Sequence, residues 1–178
     1  MTLNIVRLTR LTTEYVPAED RMRLAGETAP DQAVVIWITR RLLDRVLPHL
    51  FGWLERKGPA VPQASIATGL GELVQGMAQQ SARAALPVQP PVNAARASRS
   101  WLVSSIDVTT EESLVRLTFA APPGEEAVSI DLAINPLRQW LNIVHDRYRQ
   151  AEWPMQGWPA WMTETAAQPA GAAPAVLH

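Results

Sequence analysis

Two distant segments of this chain carry the same pattern of residues, and this repetition limits the folds open to it. MRLAGETAPDQAVVIWITRRLLDRVL, which begins at Met22, aligns with VRLTFAAPPGEEAVSIDLAINPLRQWL, which begins at Val115, when one residue is added in the second turn. Few residues are identical, but the order of predicted elements and the alternation of inward and outward residues agree. The repetition predicts that one supersecondary unit is used twice.

The first copy has the pattern of three strands followed by a helix. β-Branched residues are frequent over residues 3–16, apolar and polar residues alternate over 21–28, and Ala33–Thr39 is a short apolar run. These patterns are typical of strands. Thr39 is a suitable N-cap for a helix over residues 40–57, which Gly58 ends.

The second copy has the same order of elements. Strands are predicted at residues 101–109, 114–120 and 127–133, the last with clean alternation. Asn135 is predicted to cap a helix that continues to Gln150, and Pro136 occupies its first turn, where a missing N–H costs nothing. The unit is again β-β-β-α.

The segments outside the two copies have a different character. A helix is predicted over residues 65–86, although three glycines weaken it, and the Pro/Ala-rich stretch 86–100 is predicted to be irregular. The Ala/Pro-rich end, residues 163–178, is predicted to be disordered. The middle helix would pack through one apolar face, formed by Ile66, Leu70, Leu73, Val74 and Met77.

We therefore expect an α+β fold, in which two β-β-β-α pseudo-repeats form antiparallel sheets packed by helices. A helical linker joins the repeats, and a disordered C-terminal tail follows them. At 178 residues the chain fits one compact domain. The predicted parts are the first unit, the linker, the second unit, and the Trp-rich segment with the tail, at residues 1–58, 59–100, 101–151 and 152–178.

Composition excludes several classes of function. The chain has no cysteine, which excludes disulfides, thiolate catalysis and cysteine-based metal sites. A net charge of −1 argues against nucleic-acid binding, which usually needs a basic surface. No apolar run is long enough to span a membrane and the first residues lack a secretory signal, so we expect a cytoplasmic protein. The richness in Arg, Ala and Pro is typical of a GC-rich bacterial genome.

No residue pattern predicts a catalytic, cofactor-binding or metal-binding site. Gly69, Gly71 and Gly76 have neither the spacing nor the preceding strand of a dinucleotide-binding loop. His49 and His145 lie on predicted helices without a converging set of ligands. Paired carboxylates occur only in predicted turns, where they are solvated, whereas acid–base catalysis needs a partly desolvated carboxyl. These pairs are Glu19-Asp20, Glu111-Glu112 and Glu125-Glu126.

Comparison of the two copies singles out one candidate interface. Alternation points Val35 and Trp37 to the outer face of the first sheet, together with Arg21 and Arg23 from the neighbouring strand. A tryptophan-bearing apolar face flanked by arginine is a typical composition for a protein interface. The alternative is that the middle helix covers this face within the domain.

A second candidate interface is the Trp-rich segment that follows the second copy. Trp153, Trp158 and Trp161 lie among prolines and a glycine, which disfavour helix. Such a segment either packs back on its own domain or docks on a partner as an extended peptide. A position at a membrane surface is a third alternative, which the scarcity of basic charge nearby disfavours.

These observations favour a non-enzymatic protein-binding role, as an accessory subunit, assembly factor or structural component of a larger complex. Its predicted contacts, to a protein partner or a second copy, are the residues of the two candidate interfaces. The alternative is a small-molecule-binding protein or enzyme with a site between the repeats, formed by Arg116, Asp131 and His145. Nucleic-acid binding through the first helix is weaker still, because carboxylates offset its arginines.

Overall fold

The computed structural model describes residues 5–58 and 69–167, with side chains through residue 163. Within these ranges the first half holds β1 (Ile5–Arg7), β2 (Arg10–Val16), β3 (Arg21–Ala29), β4 (Gln32–Ile38) and α1 (Arg40–Lys57). The middle helix is α2 (Leu70–Ala84), and a short 3₁₀ turn occupies Ala94–Arg96. The second half holds β5 (Ala97–Leu102), β6 (Ile106–Thr110), β7 (Leu114–Phe119), β8 (Ala127–Ala133), α3 (Ile134–Gln150) and α4 (Ala160–Ala167).

The strands form two four-stranded sheets, in the orders β2-β3-β4-β5 and β1-β8-β7-β6. The predicted α+β architecture with two β-β-β-α units is confirmed, since β2-β3-β4-α1 and β6-β7-β8-α3 repeat one arrangement. Each half also gives one strand to the other half's sheet: β1 pairs parallel with β8, and β5 pairs parallel with β4. The sheets are therefore mixed, not purely antiparallel as predicted.

The exchange of strands happens at two corners where the chain passes from one sheet to the other. The segment predicted as one strand over residues 3–16 divides there, because the N–H of Leu8 donates to the carbonyl of Ser129 and that of Thr9 donates to the carbonyl of Glu27. Gly26 lies against this corner. A Cβ atom on residue 26 would lie 2.7 Å from Leu8 Cδ1, which is closer than van der Waals contact allows.

The second corner divides the segment predicted as one strand over residues 101–109. The N–H of Val103 donates to the carbonyl of Trp37 in the first half, whereas the carbonyl of Ser105 accepts from the N–H of Ala120 in the second half. The prediction of a single strand here is wrong for the same reason as at the first corner: alternation continues along the chain while its hydrogen-bonding partner changes.

Both sheets share one hydrophobic core with α1 and α3. The inward residues of the strands and most apolar residues of both helices are buried in it. Thr39 caps α1 as predicted, accepting from the N–H of Leu42 at 3.3 Å. The predicted cap of α3 is wrong: the helix begins at Ile134 after Ala133, which makes no side-chain capping bond, so Asn135 lies inside the first turn.

The middle helix lies with the opposite face inward from the one predicted. Leu73 and Met77 are 59% and 63% exposed, whereas Gln75 and Gln79 are buried. The cause is Arg138 of α3, which is also buried and whose guanidinium donates to both glutamine side chains. A buried guanidinium without acceptors would be costly, so the polar face of α2 packs inward. Ile66 lies outside the described residues.

The C-terminal segment is ordered further than predicted. Residues 163–167, predicted to be disordered, belong to α4, which begins directly after Pro159 and packs against α2. A proline before the first turn is compatible with a helix, because the N–H it lacks would have had no partner within the helix. Residues 168–178 lie outside the described residues.

Candidate protein interface

One row of side chains crosses the outer face of the first sheet. The strand register places Glu14 opposite Arg23, Arg23 opposite Trp37, and Trp37 opposite Leu102. Ser100 lies beside this row on β5 and points to the same face, since its hydroxyl meets the Trp37 ring. We call these five residues the Trp37 face.

Arg23 is held in place from both sides of the row. Its Nη2 and Nε donate to a carboxylate oxygen of Glu14 at 2.6 and 3.1 Å. The guanidinium carbon lies 6.0 Å from the centroid of the Trp37 ring, at the outer limit of a cation–π contact. Because the ion pair is half exposed, it contributes little to stability and serves mainly to orient the guanidinium.

Trp37 presents an apolar ring whose polar atom is already satisfied. Its Nε1 donates to Ser100 Oγ at 3.0 Å, and the side chain is only partly buried. Leu102, its neighbour on β5, is 48% exposed. An aromatic ring with a satisfied N–H next to an exposed leucine can bury apolar area in a contact without losing a hydrogen bond.

A groove of about 800 Å³ runs along the Trp37 face. Glu14, Arg23, Trp37 and Ser100 line one part of it, and Val35 lies at its base. Val35 is itself only 5% exposed, because it packs with small apolar residues of the sheet and the segment that follows Pro91. Three of the four residues predicted for this interface are therefore brought together.

Arg21, the fourth predicted residue, is not among the residues that line the groove. Its guanidinium pairs instead with Glu19 at the end of the sheet, where the two charged groups are 3.6 Å apart. Its partner-binding role stays a prediction.

The other wall of the groove is the segment 91–97, not the middle helix. Val92 N–H donates to Thr12 Oγ1 at 2.8 Å, and Arg10 Nη2 donates to the carbonyl of Pro90 at 2.8 Å. These bonds fasten the segment to the edge strand β2. The alternative in which the middle helix covers this face is wrong, because α2 packs on α3 and α4.

On the second sheet, the position equivalent to Trp37 is occupied by a charged residue, Asp131. Arg116 lies opposite Asp131, as Arg23 lies opposite Trp37, and binds its two carboxylate oxygens at 2.7 and 2.9 Å. Arg7 of β1 donates to the same carboxylate. The hydrogen bonds from Arg116 hold the pKa of Asp131 below its usual value. The second sheet thus presents a saturated ion-pair cluster where the first presents Trp37.

The three residues of the alternative ligand site do not come together. Arg116 and Asp131 lie on the outer face of the second sheet, whereas His145 is 1% exposed on α3. The His145 ring packs edge-on against Trp158, with centroids 5.0 Å apart. Neither of its nitrogens has a hydrogen-bond partner among the described residues, and Asp146 Oδ1 lies 3.7 Å from Nδ1. This geometry is that of a packed core histidine.

A second groove, of about 570 Å³, lies between the two halves, beside the first corner and α3. Several of its polar side chains bond to other side chains or to the backbone. Arg10 pairs with Glu27 at 3.3 Å and with the carbonyl of Pro90, and Trp140 Nε1 donates to Thr13 Oγ1 at 3.0 Å. The Trp140–Thr13 bond joins the two halves, whereas Arg10 is engaged within the first half and with the segment before β5. These side chains are therefore occupied by contacts within the domain.

The three tryptophans of the C-terminal segment pack on their own domain. Trp153, Trp158 and Trp161 are 6%, 8% and 3% exposed. Trp153 Nε1 donates to Asp20 Oδ1 at 2.8 Å, and Trp161 Nε1 donates to Glu55 Oε1 at 3.2 Å. Of the alternatives open at the sequence level, self-packing describes this segment. Docking of these side chains on a partner stays a prediction, and it requires the segment to leave this position.

Sequence reasoning missed Glu14, Ser100 and Leu102, which complete the Trp37 face. Alternation indicates that Ser100 and Leu102 face outward, since both flank the inward Trp101. What the sequence did not indicate is that β5 pairs with β4 of the other half. Without that pairing, nothing placed Leu102 beside Trp37.

Comparisons with known proteins identify no match for this chain. The chain matches no protein-family model, no curated protein and no solved structure. Across residues 5–58 and 69–167, no helix combines the length and apolar character needed to cross a membrane. In the same ranges, no cluster of three or more His, Asp or Glu side chains is arranged to hold a metal ion.

Proposed function

We propose that this protein is a non-enzymatic protein-binding subunit, an accessory, assembly or structural component of a larger complex, which binds its partner through the Trp37 face. The observation that carries this proposal is the contrast between the two sheets. At equivalent positions, the second sheet has Asp131 saturated by two arginines, whereas the first leaves the Trp37 ring and Leu102 partly open to solvent.

The Trp37 face has the physical properties of a binding hot spot. Tryptophan and arginine are the residues that most often dominate binding energy at interfaces. Trp37 and Arg23 are already oriented by Ser100 and Glu14, so a partner would order few side chains on binding. The adjoining groove, with Val35 at its base, has room for an extended segment or a projecting apolar side chain of the partner.

Trp37→Asp is the substitution that tests this proposal most directly. An aspartate at position 37 would lie opposite Arg23 and so reproduce the Arg116–Asp131 pair of the second sheet, which should leave the fold intact. We expect partner binding to weaken about 30-fold or more, because loss of a hot-spot side chain typically costs about 2 kcal/mol or more. Circular dichroism and thermal unfolding should stay close to the wild-type values.

The matched control is Thr109→Asp. Thr109 is exposed on the second sheet and lies opposite Arg116, so this variant adds the same charge beside an arginine of the other half. Affinity purification with quantitative mass spectrometry would compare the wild type, both variants and Leu102→Asp. The proposal predicts loss of the same partner from Trp37→Asp and Leu102→Asp, and its retention by Thr109→Asp. Equal recovery by all four proteins would refute it.

A further inference from the structure

Two arginines line the groove between the two halves, and Arg147 is the one without a carboxylate partner. Arg10 pairs with Glu27. The guanidinium of Arg147 forms no ion pair among the described residues, and its Nη1 donates to Gln150 Oε1 at 2.8 Å. Its Nε is buried and has no hydrogen-bond partner in the same part of the chain. A buried donor of a charged group is costly to leave unpaired, so this one indicates a missing acceptor.

The carboxylate next to Arg147 in the chain does not supply this acceptor. Asp146 Oδ1 lies beside His145, 3.7 Å from Nδ1. The pKa of Asp146 is held below its usual value by His145 first, and the charges of Arg83 and Arg147 contribute after it. Arg147 therefore acts on Asp146 only through its charge and forms no ion pair with it.

The charges around the groove favour an anion as its ligand. Asp131 is the one carboxylate among the described residues that line the groove, and Arg116 and Arg7 already bind it. A cation would meet no free carboxylate there, whereas an anion would meet the unpaired edge of Arg147. The planar guanidinium binds carboxylates through two parallel hydrogen bonds, and a single guanidinium matches the single charge of a carboxylate.

The remaining walls of the groove are mainly apolar, which favours an anion with an apolar chain. Arg147 lies on the same side of α3 as Ile143, Trp140 and Pro136, at helical spacing. These residues extend over about 16 Å of the helix, with Arg147 at one end. The opposite wall carries the apolar side chains of Leu8, Leu11, Ile130 and Leu132. The groove volume of about 570 Å³ lies within the range of small-molecule sites, about 300–1000 Å³.

We propose that this groove binds a small apolar carboxylate, an alkyl or aryl monocarboxylic acid. Its carboxylate pairs with the Nε–Nη2 edge of Arg147, which a turn of the partly exposed guanidinium opens, and its chain runs along α3 past Ile143 towards Pro136. The site is independent of the function proposed above, because none of the five residues of the Trp37 face lines this groove.

Isothermal titration calorimetry of the full chain with octanoate tests the proposal. We expect one octanoate per chain, with a dissociation constant below about 1 mM. Octylammonium has the same chain and the opposite charge, so it should bind at least about tenfold more weakly. Hexanoate should bind about fivefold more weakly or worse, because it buries two methylene groups fewer. Absence of octanoate binding at about 5 mM, or equal affinity for octanoate and octylammonium, would overturn the proposal.

Variants of the last turn of α3 test the role of Arg147. Arg147→Met should weaken octanoate binding about tenfold or more, and Arg147→Lys, which keeps the charge but not the fork, should be intermediate. Arg149→Met is the matched control, since it removes the same charge from the same turn at an exposed residue outside the groove. Its dissociation constant should stay within about twofold of the wild type. Circular dichroism checks that each variant is folded.

NMR spectra of the ¹⁵N-labelled chain locate the bound octanoate. The indole N–H of Trp140, which lines the groove, should shift on titration, whereas that of Trp37 should not. Equal affinities of Arg147→Met and Arg149→Met would overturn the assignment of Arg147. A shift at Trp37 in place of Trp140 would overturn the assignment of the groove.

Discussion

The buried bonds between Arg138 and α2 allow a quantitative prediction for Gln79→Leu. The Gln79 side chain is fully buried. Its Nε2 donates to the carbonyl of Arg138 at 2.8 Å, and its Oε1 accepts from Arg138 Nη1 at 3.4 Å. Burial already lowers the pKa of Arg138, which indicates that the charged guanidinium is held at a cost. Removing one of its acceptors should increase that cost.

The expected loss in the free energy of unfolding is about 2 kcal/mol. Leaving the buried guanidinium short of an acceptor costs about 1–3 kcal/mol, and the unpaired backbone carbonyl costs about 1 kcal/mol more. The leucine side chain offsets about 1 kcal/mol of this by burying apolar area in place of an amide. Urea unfolding followed by tryptophan fluorescence measures the change, which should lower the midpoint while the slope stays constant.

Gln150→Leu provides the matched control for this measurement. Gln150 is exposed at the end of α3, where its side chain accepts from Arg147. The same chemical change there should shift stability by less than about 0.5 kcal/mol. If Gln79→Leu costs no more than Gln150→Leu, the bonds to Arg138 do not fix the orientation of α2.

A double-mutant cycle with Arg138→Met separates the pairwise interaction from general disturbance of packing. The methionine removes the buried charge, so the second substitution, Gln79→Leu, no longer leaves a guanidinium without its acceptor. The double variant should be less destabilised than the sum of the single variants by about 1 kcal/mol or more. Strict additivity would mean that the two side chains do not depend on each other, which contradicts the geometry.

Two further predictions concern the second sheet and the first corner. Because hydrogen bonds from Arg116 hold the pKa of Asp131 below its usual value of 3.8, the carboxylate stabilises the fold at neutral pH, and this contribution is lost as the pH falls through the folded-state pKa. Asp131→Asn should cost about 1 kcal/mol at pH 7, after allowance for solvent screening, and the difference from the wild type should vanish in acid; a pH-independent difference would contradict this. Gly26→Ala should cost about 1–3 kcal/mol, because its Cβ would stand 2.7 Å from the buried Leu8. Gly71→Ala, where nothing lies within 4 Å, should instead stabilise α2 by about 0.5–1 kcal/mol, and equal thermal shifts in the two variants would refute the close approach.

The repeated unit was readable from the residues because its signals are local. Period-two alternation marks strands and period-3.6 stripes mark helices whatever lies next to them. The order β-β-β-α in both copies and the Thr39 cap therefore agree with the structure. The alignment of the two segments also holds in the structure, because Trp37 and Asp131, which it places at equivalent positions, both lie opposite an arginine of the preceding strand.

The tertiary structure decided which surfaces meet, because periodicity defines a face but does not name its partner. The Arg138 guanidinium, distant in sequence, outweighs the leucines of α2 and turns its polar side inward. Trp153 Nε1 donates to Asp20, and no local sequence pattern links these two residues. The strand exchange at Leu8 depends on the second half being folded beside the first. These long-range bonds settle which apolar residues are buried, and they leave Leu73 and Met77 of α2 exposed and Trp37 partly exposed.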